Sequence, residues 1–389
     1  MKAKSFLALL PFVFCGVLLK AQDTIAGVVN KYAPVLGFSG CDSSLLKVSS
    51  SADFHINDKV LLIQMKGAKI DLSNSQNFGD ILVPGNVGNF EVNRIKNIMG
   101  NDIQLQFQLV QSYDINGSVQ LVRISEHTDV MVNGLTCKPW DGLSGGVLAL
   151  DVSDRLIMKG DIDVSAKGFR GGSVIDVNTS LYHETQYFYP PDQLFAGEKG
   201  EGAAIVPSNQ SFGRGKAANG GGGGNAHNAG GGGGGNAASG GNGGLEYFNL
   251  PGSPTLGTNG IGGASLLKLA NQKIIFGGGG GAGHTNDNVG TSGGNGGGIV
   301  IVVAGEIVSN GFKIVANGAN VISGGNNRND GQGGGGAGGS VLIKTDQIVG
   351  TLECELNGGN GGDCLFIQQS QIIGPGGGGG GGKMMVTKP

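Results

Sequence analysis

Glycine runs set the terms for everything this chain can fold into. Five consecutive glycines begin at Gly220, six at Gly230, five at Gly277, four at Gly333 and seven at Gly376. A run without Cβ atoms cannot form an amphipathic helix or a strand with one buried face, because it has no side chain to bury. Two outcomes remain. The runs are solvated linkers, or their backbones pack directly on one another. Serine is sparse in the runs, and they recur at matching points between apolar segments, bordered by Asn-Gly or Gly-Asn. That phasing favours ordered, polyproline-II-like strands that exchange backbone hydrogen bonds with their neighbours. Collagen is excluded, since a strict Gly-X-Y period with abundant proline is missing.

The segments between the runs repeat a template. Gly145-Gly-Val-Leu-Ala-Leu-Asp-Val opens one copy, Gly297-Gly-Ile-Val-Ile-Val-Val-Ala the next and Gly338-Gly-Ser-Val-Leu-Ile-Lys-Thr the third. A weaker copy is read at Gly262-Gly-Ala-Ser-Leu-Leu, and a last one starts at Gly381-Gly-Lys-Met-Met-Val. Short β-branched strands, turns and a glycine excursion in each unit describe a parallel β-helix-like solenoid, whose units must stack to bury their apolar faces. Gly145, Gly298, Gly339 and Gly382 are the structural glycines of this reading. Val147, Ile299, Val341 and Met384 are expected to form one inward ladder, and Val164, Ile314 and Leu356 another. A β-sandwich with glycine-rich loops is the rival architecture.

Glycine is unevenly spread. Only 12 of the 80 glycines precede Ser144, so residues 23–141 have an ordinary composition. Strands are expected at Leu45–Val48, Val60–Met65, Phe90–Ile98, Ile103–Val110, Val119–Ile124 and Val130–Val132, several followed by turn pairs such as Pro84-Gly85 and Gly100-Asn101. The chain is therefore read as all-β. A small N-terminal antiparallel barrel or sandwich (23–141) leads into a parallel β-helix-like solenoid with polyglycine-II-like excursions (142–389), interrupted by an insertion at 173–212.

Residues 1–22 carry Lys2 and Lys4 before an apolar run from Phe6 to Leu19 and a small residue, Ala21. This is the pattern of a secretory signal peptide, and it places the mature protein outside the cell. No later stretch approaches 18 apolar residues, so no transmembrane span is expected in the mature chain. Four cysteines remain, and an even number in an exported chain permits disulfides Cys41–Cys137 and Cys354–Cys364. With 14% charged residues, a net charge of -3 and no basic cluster, the chain lacks the electrostatic footprint of a nucleic-acid binder.

Catalytic chemistry finds little to stand on. Asp161 and Asp163 share one face of a strand, the arrangement a carbohydrate-active β-helix enzyme would need, but no third group accompanies them. His227 and His284 each follow a glycine run and approach one another only if the runs stack in register. No phosphate-binding loop, dinucleotide fingerprint, zinc spacing or calcium motif is present, so no cofactor and no metal is expected. Tyr182, Tyr187 and Tyr189 concentrate in the insertion and are the candidate ligand-binding residues, since aromatics on a loop suit sugar stacking or protein contact.

Several stretches carry a resemblance: Val29-Asn-Lys-Tyr-Ala-Pro-Val, Asp58-Lys-Val-Leu-Leu-Ile-Gln-Met-Lys-Gly-Ala, Gly117-Ser-Val-Gln-Leu-Val-Arg, Lys167-Gly-Phe-Arg-Gly-Gly and Gly277-Gly-Gly-Gly-Gly-Ala-Gly-His. They resemble the N-terminal region of secreted, glycine-rich, adhesin-like surface proteins of Bacteroidota. Such proteins often end in a gliding-motility-type or type 9 secretion sorting domain. The resemblance implies export to the cell surface and transfers no catalytic residue. It departs at Pro389, where this chain stops inside a repeat and is read as truncated. The function expected is that of a non-enzymatic secreted or cell-surface structural or adhesive protein, with surface glycans or other surface proteins as partners. A carbohydrate-binding module, or less favourably a β-helix carbohydrate-active enzyme, is the alternative.

Overall fold

The structure, a computed structural model, describes residues 23–39, 44–176, 183–193, 195–248, 257–269, 273–286, 289–323, 330–364 and 371–388. The predicted signal peptide, Cys41 and Tyr182 lie outside them. Strand β1 (Asp23–Val28) is followed by β2 (Lys31–Ser39), β3 (Leu45–Val48), β4 (Lys59–Gln64), the short paired strands β5 (Lys69–Ile70) and β6 (Ile81–Val83), β7 (Phe90–Met99), β8 (Asp102–Leu105) and β9 (Val119–Arg123). Strands β2, β3, β8, β7, β4 and β9 close into an antiparallel barrel in that order. Alternation along β4 explains its continuous apolar sequence. Val60 and Leu62 point into the barrel core with Leu46, Ile103 and Leu121, while Leu61 and Ile63 point outward into a second core shared with the rest of the protein.

The strand expected at Ile103–Val110 stops at Leu105. Asn93 takes the backbone of Phe107 at both ends, donating to its carbonyl at 2.9 Å and accepting from its N–H at 3.1 Å. Glu91 accepts from the N–H groups of Val110 and Gln111. Side chains thus replace the ladder, and Phe107 and Val110 are exposed.

The second half is a curled parallel sheet that resembles a β-helix. Its strands are β10 (Ser125–Thr136), β11 (Val147–Met158), β12 (Ile162–Asp163), β14 (Ile299–Val308), β15 (Lys313–Val315), β16 (Ser340–Val349), β17 (Glu353–Glu355) and β19 (Lys383–Thr387); the short β13 (Tyr247–Phe248) and β18 (Gln371–Ile372) pair apart from it. The long strands run β10–β11–β14–β16–β19 and the short ones β12–β15–β17, so each rung is a long strand, a turn and a short strand. Strand β1 adds in parallel to β10. Both β1 and β10 fall inside the range read as the antiparallel domain, yet belong to this sheet.

Leu148, Leu150, Val300, Val302, Val341 and Ile343 face the inside of the coil with Ile162 and Ile314. Val147, Ala149, Ile299, Ile301 and Leu342 face outward onto the barrel's Leu61, Ile63 and Val122 and onto Trp140, Phe169 and Phe276. Burial of both faces is why these strands are apolar without alternation. The expected ladders need correction. Val147 pairs with Ile299, but Ile299 pairs with Ser340; Val341 and Met384 belong with Val300, one position on. Ile314 pairs with Ile162 and Cys354, two positions before Val164 and Leu356. The weak copy at Gly262 contributes no strand to the sheet and leads into a short 3-10 turn at Leu267–Leu269.

The expected disulfides are also corrected. No disulfide joins Cys354 to Cys364, and Cys137 and Cys354 are free thiols. Cys137 is buried in the coil core and Cys354 packs against that core as a small apolar residue. Burial pushes the Cys137 thiol up to about 12 and the Cys354 thiol to about 11.

The glycine runs form a bundle beside the sheet, and its hydrogen bonds give its geometry. Gly230 and Gly233 donate to Gly244 and Gly241; Gly231 and Gly234 to Gln332 and Gly335; Gly232 and Gly235 to Gly222 and Asn219. Successive N–H groups turn to three different neighbours and return every third residue, the signature of polyproline-II helices with three residues per turn. The same segment accepts from Gly377 and Gly380, from Gly281 and Gly278, and from Gly260 and Gly263. Six neighbours therefore surround it. Gly339 donates to Ala316, Gly382 to Leu356 and Gly298 to Val164, so the structural glycines tie each rung to the preceding one. A Cβ on Gly339 would stand 2.0 Å from the Gly298 oxygen, and on Gly382 2.2 Å from the Gly339 oxygen. Gly145 has φ +101 and fits against the Pro139 carbonyl.

Candidate functional site

In a polyproline-II helix, residues i and i+3 project on the same side. Two neighbouring helices of the bundle use this to build a polar cleft. Residues 198–201 carry Glu198 and Glu201, and residues 170–173 carry Arg170 and Ser173. The two helices are linked by the Glu201 N–H to the Arg170 carbonyl, and both bond to the 277–283 segment. Gly171, Gly172, Gly197 and Gly200 lie where carbonyls of neighbouring helices leave no space for a Cβ. The third positions Arg170, Ser173, Glu198 and Glu201 carry the side chains that line the cleft.

The cleft has a volume of about 280 Å3 and is lined by Lys66, Arg170, Ser173, Glu198, Glu201 and Ser211, among others. The Glu201 carboxylate accepts from Lys66, from the Arg170 Nε and backbone N–H at 3.1 Å each, and from the Trp140 Nε1 at 3.1 Å. Burial alone would raise its pKa, but Lys66 and Arg170 outweigh burial and hold it below the usual carboxylate range. Trp140 packs beneath with Phe169 and Phe276, ring centroids 5.3 to 6.3 Å apart. Glu198 accepts from the Ser173 N–H at 2.7 Å. The floor is therefore rigid and charged, with Arg170 half-exposed at its rim.

Lys199, on a different face of the same helix, turns inward. Its ammonium donates to the carbonyls of Tyr187, Gly213 and Gly215 at 2.7 to 2.8 Å and lies 4.6 Å from the Phe78 ring centroid. Burial holds its pKa well below the usual lysine range. Three carbonyl acceptors match the three N–H donors of the ammonium. The residue pins the 187–215 loops to the cleft wall.

Of the tyrosines expected to bind ligand, Tyr182 lies outside the described residues, and Tyr187 and Tyr189 are engaged by the protein itself. Tyr189 is 2% exposed, donates to Glu184 at 2.8 Å and packs edge-on against Phe195. Tyr187 is half-buried, held by Asn74 through its N–H, with Arg214 over its ring. The described part of the insertion covers the bundle through bridges Tyr189–Phe212, Glu198–Phe212 and Ala196–Asn225.

Asp161 and Asp163 are exposed and outside the cleft. Each accepts a backbone N–H, from Lys313 at 2.8 Å and Ser165 at 2.7 Å, and so bridges or caps turns of the coil. His227 and His284 do meet, with ring centroids 6.2 Å apart. The His227 Nδ1 lies 2.8 Å from Glu246 and its Nε2 2.9 Å from Asn286. The His284 Nδ1 accepts from the Asn228 N–H. Both rings are buried, and burial followed by the neighbouring His227 pushes His284 down to about 3. Among the described residues no three His, Cys, Asp or Glu side chains converge as a metal cage, and no helix is long and apolar enough to cross a membrane.

Sequence reasoning passed over Arg170, Glu198 and Glu201. The available signal was spacing: Arg170-Gly-Gly-Ser173 and Glu198-Lys-Gly-Glu201 both place polar residues three apart next to glycine.

No protein-family model and no curated protein matches the sequence. Among solved structures the chain is similar to three phage tailspikes. The tailspike gp49 of Pseudomonas phage LKA1 shows 9% identity and a TM-score of 0.18 over 37% of this chain and 25% of its own. Gp54 of Acinetobacter baumannii bacteriophage AP22, solved with A. baumannii capsular saccharide, shows 8% identity and 0.20 over 84% and 46%. Pseudomonas phage phi297 gp61 shows 8% and 0.19 over 85% and 58%. The chain thus spans between a quarter and three fifths of their lengths. Values this low carry no weight for fold or function, and the architecture rests on strand register and backbone bonds.

Proposed function

We propose that this protein is a non-enzymatic extracellular recognition protein, in which the solenoid and glycine bundle form a rigid scaffold and the Arg170–Glu201 cleft binds a surface saccharide. The observation that carries this reading is the state of the cleft. Its carboxylates and Arg170 are fixed on two backbone-packed helices and Lys66 is held by the Glu201 carboxylate, so little ordering entropy is lost on binding. Polyhydroxylated ligands suit such a surface, because each hydroxyl both donates and accepts. Glu201 is held ionised and its oxygens are already taken up by Lys66, Arg170 and Trp140, so it is unsuited to act as a general acid. The N-terminal signal pattern and the resemblance to Bacteroidota surface proteins support placement outside the cell.

The test is a glycan array with the secreted protein, followed by titration of any captured saccharide against Glu198→Ala and Arg170→Ala. Binding should weaken by about tenfold or more for each, in line with the loss of a charge-assisted hydrogen bond. Silence across acidic and neutral glycans would remove the saccharide reading. Appearance of new reducing ends in the bound glycan would remove the non-enzymatic one.

A further inference from the structure

Charge is placed at two separate points along the cleft. The helices of residues 170–173 and 198–201 run side by side in opposite directions, with Arg170 opposite Glu201 and Ser173 opposite Glu198. One turn of polyproline II, about 9 Å, separates the two points. At the first, Lys66 and Arg170 both pair with the Glu201 carboxylate. Two cations share one anion there, so one positive charge is in excess. Asp141, the next acid toward Arg170, does not cancel it, because Lys138 already pairs with Asp141 at 2.7 Å.

Glu198 stands at the second point without a counterion. Its Oε2 accepts the Ser173 N–H at 2.7 Å, and its Oε1 has no donor among the described residues. No Lys, Arg or His of the described residues lies within ion-pair distance of it. Lys199, its neighbour in sequence, turns to the other side of the helix and spends its donors on the carbonyls of Tyr187, Gly213 and Gly215.

Unused hydrogen-bonding capacity is divided in the same way. Of the five guanidinium N–H donors, Arg170 gives two to the Glu201 carboxylate and one to the Asp141 carbonyl, at 3.1 to 3.3 Å. The other two are free on a side chain 54% exposed at the rim. One end of the cleft therefore offers cationic donors and the other an anionic acceptor.

Each simpler ligand leaves one of these ends unmatched. A neutral sugar leaves the half-buried Glu198 carboxylate with a single donor. An anionic sugar gains at Arg170 and is repelled by Glu198, and a cationic sugar meets the reverse. We propose that the ligand of the cleft is a zwitterionic saccharide, which carries a carboxylate for the free donors of Arg170 and an unacylated amine for Glu198. This rests on the saccharide reading of the cleft and narrows it. N-Acylation of the amine removes its charge, so the acylated counterpart keeps only the Arg170 half of the match. At about 280 Å3 the cleft holds a short stretch of glycan, which places the two groups on the same sugar or on adjacent ones.

A charge series of tetrasaccharides tests the inference: chitotetraose is neutral, its deacetylated form cationic, heparosan tetrasaccharide anionic and N-deacetylated heparosan tetrasaccharide zwitterionic. Binding of each to the full chain is measured by calorimetry at low ionic strength and slightly acidic pH, where the amines are protonated. The zwitterionic member should bind at least tenfold more tightly than any other. That preference should shrink in about 1 M salt, where the screening length falls to about 3 Å. Glu198→Gln keeps an acceptor for the Ser173 N–H and removes only the charge. It should weaken the zwitterionic member about tenfold and leave heparosan tetrasaccharide equal or tighter, whereas loss of a merely structural contact would weaken both. If the variant does not fold, the series on the unaltered protein decides alone. Equal binding of all four, or tightest binding of heparosan tetrasaccharide, overturns the charge inference while the saccharide reading stands. Silence of the four together with a silent glycan array removes both.

Discussion

At Gly281 an added Cβ would stand 2.0 Å from the Gly222 carbonyl oxygen, whereas at Gly378 its nearest neighbour would be 3.9 Å away. Neither position has the positive φ that would penalise alanine by itself. The contrast isolates steric packing from conformational entropy. Gly281→Ala should cost about 2–3 kcal/mol through forced displacement of a hydrogen-bonded neighbour. Gly378→Ala should be neutral or stabilising by about 0.5 kcal/mol, since alanine reduces the freedom of the unfolded chain. Denaturant titration of both variants checks this, and equal midpoints would mean that the bundle is not close-packed. Lys199 shows the same logic with charge. Its three carbonyl partners come from loops with no secondary structure of their own, and one ammonium satisfies all of them.

At the scale of the element, the unit is a glycine-rich helix whose every third residue reports its surroundings. Interior helices such as 230–235 are glycine throughout, because all their faces meet other backbones. Edge helices carry Asn, Ser or Asp at one position in three, and the side chains of Asn317 and Asn320 accept the backbone N–H groups of Asn357 and Asn360 at 2.7 and 2.8 Å. Asn320→Ala removes the acceptor for the Asn360 N–H and should cost about 1 kcal/mol. Exchange at the Asn360 amide should accelerate while the Asn357 amide, which bonds to Asn317, stays protected. Loss of protection at both amides would show that the rung melts as a whole. The strand at Ile103 belongs to this scale as well. Its alternation was legible, but its end was set by Asn93 and Glu91, residues of another strand that sequence alone does not bring alongside.

For the whole molecule, the bundle, coil and barrel share a core, and a buried histidine pair lies at one end of the bundle. His284 has a folded-state pKa of about 3, below the ordinary value of about 6.5 in an unfolded chain. Between these values the unfolded state binds the proton and the folded state does not, so stability rises with pH across that window. It is complete above about pH 6.5 and drains as pH falls toward 3. The carboxylates of Glu246 and Asp330 and the ring of His227 are the titratable groups in the same cluster. His284→Gln should flatten the pH dependence between 6 and 4, read from denaturation midpoints at fixed ionic strength. An unchanged slope would place the acid sensitivity elsewhere.

The all-β class, the parallel stacking and the backbone-to-backbone packing of the glycine runs were legible in the chain itself. Those features follow from local chemistry: β-branched runs without alternation must be buried on both faces, and glycine runs in phase with them have nothing but backbone to pack. Register was not legible. A one-position shift moves Val341 from Ile299 to Val300, and both are apolar, so composition does not discriminate between them. The cysteines were misjudged for a related reason. Even parity and export suggested bridges, but Cys137 lies in the coil interior and Cys354 packs against it, where a thiol serves as a small apolar group. The cleft was decided by tertiary structure alone, because Arg170 and Glu201 are 31 residues apart and meet only when two glycine-rich helices lie side by side. The glycine runs fixed that such helices would pack; which helix lay beside which was settled by the six-neighbour hydrogen bonding of the finished bundle.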